Sequence, residues 1–197
     1  YKLDKVCEFD NFYSVYREIN DKLWREYRNK LIEKDTLSWK RFFLSMQHFG
    51  CGDEETARLM ANDYISISPQ KTRLFPGTIE LLQFLSSKYR VYLVTNGFKE
   101  VQYNKIKNCK IDLYFDKVFT SEEVGCNKPN IEYFQFVLAQ TNSLPEQSII
   151  IGDDIEVDIK GAAQVGISTI WCNFVEQTSD FIPDYEVKSL LDILQIL

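Results

Sequence analysis

From residue 77 to the C-terminus, short apolar runs alternate with amphipathic stretches, and no other feature constrains the fold as much. The runs are VYLVT (91–95), KVFT (117–120), SIIIG (148–152) and STIW (168–171). Between and around them, apolar residues recur in helical steps over about 77–88, 98–109, 130–141 and 155–165, and again from Ser189 after a short YEV piece. Strand and helix in alternation imply crossover connections and a mainly parallel sheet with helices on both faces. The expected class is therefore α/β.

Upstream the pattern is different. Phe12, Tyr13, Tyr16, Ile19, Leu23, Trp24 and Tyr27 repeat every three or four residues, which predicts one long amphipathic helix. A second helix is predicted over Thr36 to Phe49, ended by the glycines of GCGD, and a third begins after an Asp53 N-cap. LFPGT (74–78) punctuates the change of period. Two domains are expected: an all-helical lobe over 1–73 and an α/β lobe over 74–197.

Composition narrows the partners. A formal net charge of −6 argues against a nucleic-acid polymer, and no apolar run approaches the roughly 20 residues of a membrane span. The five cysteines are widely spaced without a Cys-x-x-Cys pair, so a zinc site is not expected. Free thiols in a reducing cytoplasm are the simplest reading, and YKLDKVCEFD is no signal peptide. The single histidine, His48, lies among Phe42, Phe43, Met46 and Phe49 and reads as structural.

In open parallel sheets, ligands bind at the carboxyl ends of the strands. The first strand ends in Thr95-Asn96-Gly97. That sequence offers a hydroxyl and two outward amides for an anion, or else plain turn chemistry. After the second strand comes Lys128, ahead of Pro129, able to neutralise a phosphate and a carboxylate. The third strand ends in GDDIEVD. Asp153, Asp154 and Asp158 repel one another there unless a divalent cation intervenes, and an all-oxygen set suits Mg²⁺. Helix capping accounts for Asp154 by itself.

With these motifs in place, the chain resembles the haloacid dehalogenase-like (HAD) superfamily. LVTNGF looks like its second motif, KPN its third and GDDIEVDIKGA its fourth, with close likeness over about 74–175. The first 73 residues resemble its helical cap. Within the superfamily, the run TNGFKEVQ…SEEVG…KPN looks closest to phosphatases acting on pyrimidine and odd-base nucleoside monophosphates. The resemblance implies a Rossmann-like core and hydrolysis of a small phosphomonoester. An aspartate attacks phosphorus, a second aspartate two residues on handles the proton, and Mg²⁺ neutralises charge. It also implies that Thr95 and the Asn96 and Gly97 amides hold phosphate oxygens and that Lys128 stabilises nucleophile and phosphate. Asp153 would ligate Mg²⁺, and Asp158 would position Lys128 or a metal-bound water. Closure of the two lobes would exclude water.

One departure stands out. The superfamily's first motif, Asp-x-Asp after a hydrophobic strand, occurs nowhere in the chain, and Asp4 and Asp10 follow no strand. The strand that carries it lies between those ending at Thr95 and Gly152. A missing N-terminal segment of about 25–30 residues is therefore expected, and the 197-residue chain alone is expected to be inactive. The alternatives are a non-catalytic binding protein of the same fold and a dehalogenase, although the latter needs no Mg²⁺. A response-regulator receiver places its acidic pair first in the chain, not last.

Overall fold

The structure, a computed structural model, describes every residue except Lys2. The chain divides into two compact units, Tyr1–Ser68 and Pro69–Leu197. Among the described residues, no helix is long and apolar enough to cross a membrane.

The first unit is helical: α1 (Phe9–Arg28), α2 (Lys34–His48) and α3 (Glu54–Ile67). Its core joins Phe42 and Met46 to Ala57 and Ala61, with Phe12, Tyr16 and Trp39 packed around them. The small residues of α3 let it approach α2 closely. Asp53 caps α3, accepting the Thr56 amide at 2.8 Å, as the sequence predicts. Arg41 is buried and lies 4.5 Å from the Tyr64 ring centroid. His48 closes α2, its ring edge-on to Phe49.

The second unit runs α4 (Thr78–Lys88), β1 (Tyr92–Thr95), α5 (Lys99–Asn108), β2 (Lys117–Thr120), α6 (Ser121–Val124) and α7 (Ile131–Thr141). It continues through β3 (Ile149–Gly152), α8 (Lys160–Ala163), β4 (Ser168–Cys172) and β5 (Tyr185–Val187). All strand pairings are parallel. Two predicted helices differ in type. Residues Ile155–Ile159 form a wide π-turn ahead of α8, and Leu190–Gln195 is a 3₁₀ segment capped by Ser189. The π-turn follows from Asp154, whose carbonyl accepts from both Asp158 N at 2.9 Å and Ile159 N at 3.3 Å.

The sheet is in two pieces, β1–β2 and β3–β4–β5. Both pieces serve the same cores. Val91, Ile149 and Ile151 pack on the cluster around Leu81, Leu85 and Ile170, whereas Val94 and Ile150 pack on the cluster around Tyr133 and Phe134. Between β1 and β3 the sheet is open. Val91 O accepts from Asp116 N, so alternation turns the main-chain groups of Tyr92 and Val94 away from β2. Ser148 O accepts from Ser168 N, so Ile149 and Ile151 likewise face away from β4. These groups have no strand partner among the described residues. β1 and β3 are only half-buried along their whole lengths, although nearly every side chain in them is apolar. An inner strand of a parallel sheet is normally covered on both sides.

Candidate active site

Lys128 spans the carboxyl end of this opening. Its ammonium donates to Val94 O on β1 at 3.1 Å and to Asp158 Oδ1, beyond β3, at 2.6 Å. The lysine and aspartate side chains are 7% and 12% exposed, so the pair is almost dry. Gly152 makes the approach possible, because a Cβ there would lie 2.6 Å from the Asp158 Cβ and 2.7 Å from its Oδ2.

Asn96 fixes the lysine from the other side. Its Oδ1 accepts the Lys128 amide at 2.8 Å and its Nδ2 donates to the Lys128 carbonyl at 2.9 Å. The side chain is thus fully used as a clamp, leaving only its main-chain N–H for an anion. The Asn96 carbonyl accepts from Ser121 Oγ at 3.3 Å. Thr95 Oγ1 accepts the Gly97 amide at 3.0 Å, which occupies that amide and leaves the hydroxyl proton free to be donated. Next to Lys128, the Asn127 Oδ1 is buried without a hydrogen-bond partner among the described residues.

The three acids after β3 separate by role. Asp154 is a helix cap, its Oδ1 accepting from Glu156 N at 3.0 Å and Val157 N at 2.9 Å. Asp158 is the counter-ion of Lys128. Among the described residues, Asp153 is bound neither as a cap nor in an ion pair, and its main-chain carbonyl accepts the Trp171 indole N–H at 3.1 Å. Surrounding protein desolvates this carboxyl, and the charges of Asp158 and Asp154 add to the effect, so it sits above the usual carboxylate range. Cys172 at the end of β4 is pushed up to about 12, by burial first and then by Asp153 and Asp158, which leaves a neutral, poorly nucleophilic thiol. Among the described residues, no group of three or more His, Cys, Asp or Glu side chains is arranged to hold a metal. Mg²⁺, however, is commonly held by one or two carboxylates together with substrate phosphate and water. A single crowded carboxylate fits that partial donor set.

Because Asp154 serves as a cap, Asp154→Ala is expected to cost about 0.5–2 kcal/mol in urea denaturation. It leaves the Lys128–Asp158 pair in place. Three contributors escaped the sequence reading: the Asn96 side-chain clamp, Trp171 and Tyr133. Tyr133 carried the one usable signal, a tyrosine on an otherwise apolar helix face, where a buried hydroxyl normally finds a partner.

A parallel α/β core with a lysine–carboxylate pair beside a Thr-Asn-Gly turn defines a Rossmann-like core with its candidate site at the carboxyl ends of the strands. The family model for haloacid dehalogenase-like hydrolase matches residues 12–172, and the chain belongs to that family. It is 30% identical over 185 residues to HAD-hydrolase YfnB of Bacillus subtilis, covering 92% of this chain and 78% of that one. Pyrimidine 5'-nucleotidase PynA of Streptococcus pneumoniae is 30% identical over 200 residues, covering 100% of this chain and 84% of its own. The magnesium-bound crystal structure of YfnB superposes with a TM-score of 0.90 at 27% identity, covering 98% of this chain and 85% of that one.

Proposed function

We propose that the protein hydrolyses small phosphomonoesters, nucleoside monophosphates first among them, with Mg²⁺. The nucleophilic aspartate lies on a strand that completes the sheet between β1 and β3. The observation that carries this reading is Lys128, whose buried ammonium stands at the carboxyl end of that opening. A carboxylate arriving there meets the positive charge that it and a phosphoryl group both require. The names of relatives support the substrate class: PynA and YjjG of Escherichia coli are pyrimidine 5'-nucleotidases. Magnesium in the YfnB crystal supports the cation.

In this reading the carboxylate attacks phosphorus and the P–O ester bond breaks, while a second aspartate gives its proton to the leaving alcohol. Water then cleaves the acyl phosphate, regenerating the carboxylate and releasing phosphate. Thr95 donates its hydroxyl and Asn96 its main-chain N–H to phosphate oxygens. Lys128 holds charge against nucleophile and phosphate, and Asp158 keeps Lys128 in place. Asp153 offers the carboxylate for Mg²⁺, which when bound supplies charge neutralisation on the transferring group.

The test is phosphate release by the natural full-length product from a panel of nucleoside monophosphates and a generic aryl phosphate, with Mg²⁺ and with EDTA. Mg²⁺-dependent release is expected, and none from the 197-residue chain alone. Phosphate binding without turnover by the full-length product indicates the non-catalytic relative instead. Halide release from a 2-haloacid without Mg²⁺ indicates the dehalogenase.

A further inference from the structure

Tyr133 belongs to none of the roles above, yet it is fully buried and its hydroxyl is doubly engaged. It accepts the Thr95 amide at 3.0 Å and donates to the Phe119 carbonyl at 2.6 Å. Thr95 pairs with Thr120 in a parallel ladder. In such a ladder the amide of one residue faces the carbonyl preceding its partner, here Phe119. The phenol oxygen therefore bridges the donor and acceptor of the last β1–β2 rung.

We propose that Tyr133 is a positioning residue for Thr95, its hydroxyl setting how far the end of β1 stands from β2 and so where the Thr-Asn-Gly turn begins. The proposal rests on the phosphatase reading for its consequence, though not for its geometry. The turn is fixed from three sides: Tyr133 holds the Thr95 amide, Ser121 the Asn96 carbonyl, and Lys128 the Asn96 side chain. Of these, only the tyrosine touches Thr95 itself. Burial raises its phenol, so the proton stays on at neutral pH and the donation to Phe119 persists.

Packing does not require the hydroxyl. The ring lies edge-on to Phe134 at 5.7 Å in a cluster with Ala162 and Ile167, and phenylalanine fills the same space. Without the oxygen, Thr95 N–H and Phe119 C=O are free to meet as an ordinary rung. A merely structural tyrosine and a positioning one therefore predict different results for Tyr133→Phe.

In the full-length product, Tyr133→Phe is expected to keep the wild-type melting temperature within a few degrees. The Thr95 and Gly97 amide resonances should move while that of Val91 stays. The inhibition constant for inorganic phosphate should rise, and kcat/KM fall, by roughly tenfold to a hundredfold, as for a misplaced binding group. Combined with Thr95→Val, the tyrosine change should add no further loss, because it acts through Thr95. Wild-type phosphate affinity and kcat/KM in a folded Tyr133→Phe protein overturn the proposal. So does a large loss of stability, or full additivity with Thr95→Val. If the wild-type protein neither binds nor hydrolyses phosphate esters, the functional reading fails separately. The amide resonances then still decide whether the hydroxyl holds Thr95.

Discussion

Lys128→Met is expected to lower stability by about 3–5 kcal/mol, because it strands the Asp158 carboxylate in a nearly dry site. For a chain of this size, that corresponds to roughly 6–20 °C in melting temperature. The partners differ in what they leave behind. Asp158→Asn keeps an oxygen within reach of the ammonium, which also retains Val94 O at 3.1 Å, so the smaller loss is expected there. The informative variant is Lys128→Met combined with Asp158→Leu, which leaves no buried charge. Recovery of most of the lost stability, in thermal and urea melts, would show that the pair is not retained for stability. Its use is then to hold an ammonium where the opening between β1 and β3 ends. A double variant no better than Lys128→Met would make the pair a structural brace.

Much of this geometry is legible in the sequence wherever the signal is local. Apolar runs that stop at Thr95 and at Gly152 mark the strand ends within a residue, since a buried strand has few ways to end other than at turn residues. Lys128 and Asp158 are found by their places at successive strand ends. The unpaired edges of β1 and β3 are legible too, since the sequence offers no Asp-x-Asp strand to lie between them. What escaped depends on partners far along the chain. The Tyr133 hydroxyl meets Thr95 and Phe119, and Asn96 turns its amide to Lys128, contacts that no local pattern encodes. The π-turn at Ile155–Ile159 escaped for a different reason. Helical spacing predicts a helix there, but the Asp154 carboxylate takes the first amides and its carbonyl serves two donors, widening the turn. With Asp154 used as a cap and Asp158 paired to Lys128, the three clustered aspartates do not make three ligands.

That division of labour leads to the second large effect. On the phosphatase reading proposed above, Asp153→Asn in the active enzyme is expected to abolish Mg²⁺-dependent turnover, whereas Asp154→Asn largely preserves it. Asp154 is committed to two main-chain amides, which an asparagine oxygen can still serve. Asp153 is held at its main-chain carbonyl by Trp171, and its carboxyl is raised by desolvation and by its acidic neighbours. Removing its charge relieves that crowding, so the variant should be no less stable than wild type without metal. The sign follows from the shift. A carboxyl raised on folding favours the native state when protonated, and that advantage is lost as pH rises through its folded value. Mg²⁺ binding reverses the comparison, since a ligand at a hundred times its dissociation constant stabilises by about 2.7 kcal/mol. Wild type and Asp154→Asn should show a Mg²⁺-induced rise in melting temperature that Asp153→Asn lacks. Equal losses of turnover and of this rise at both positions would transfer the metal to the pair, and a rise retained by Asp153→Asn would remove Asp153 from the cation altogether.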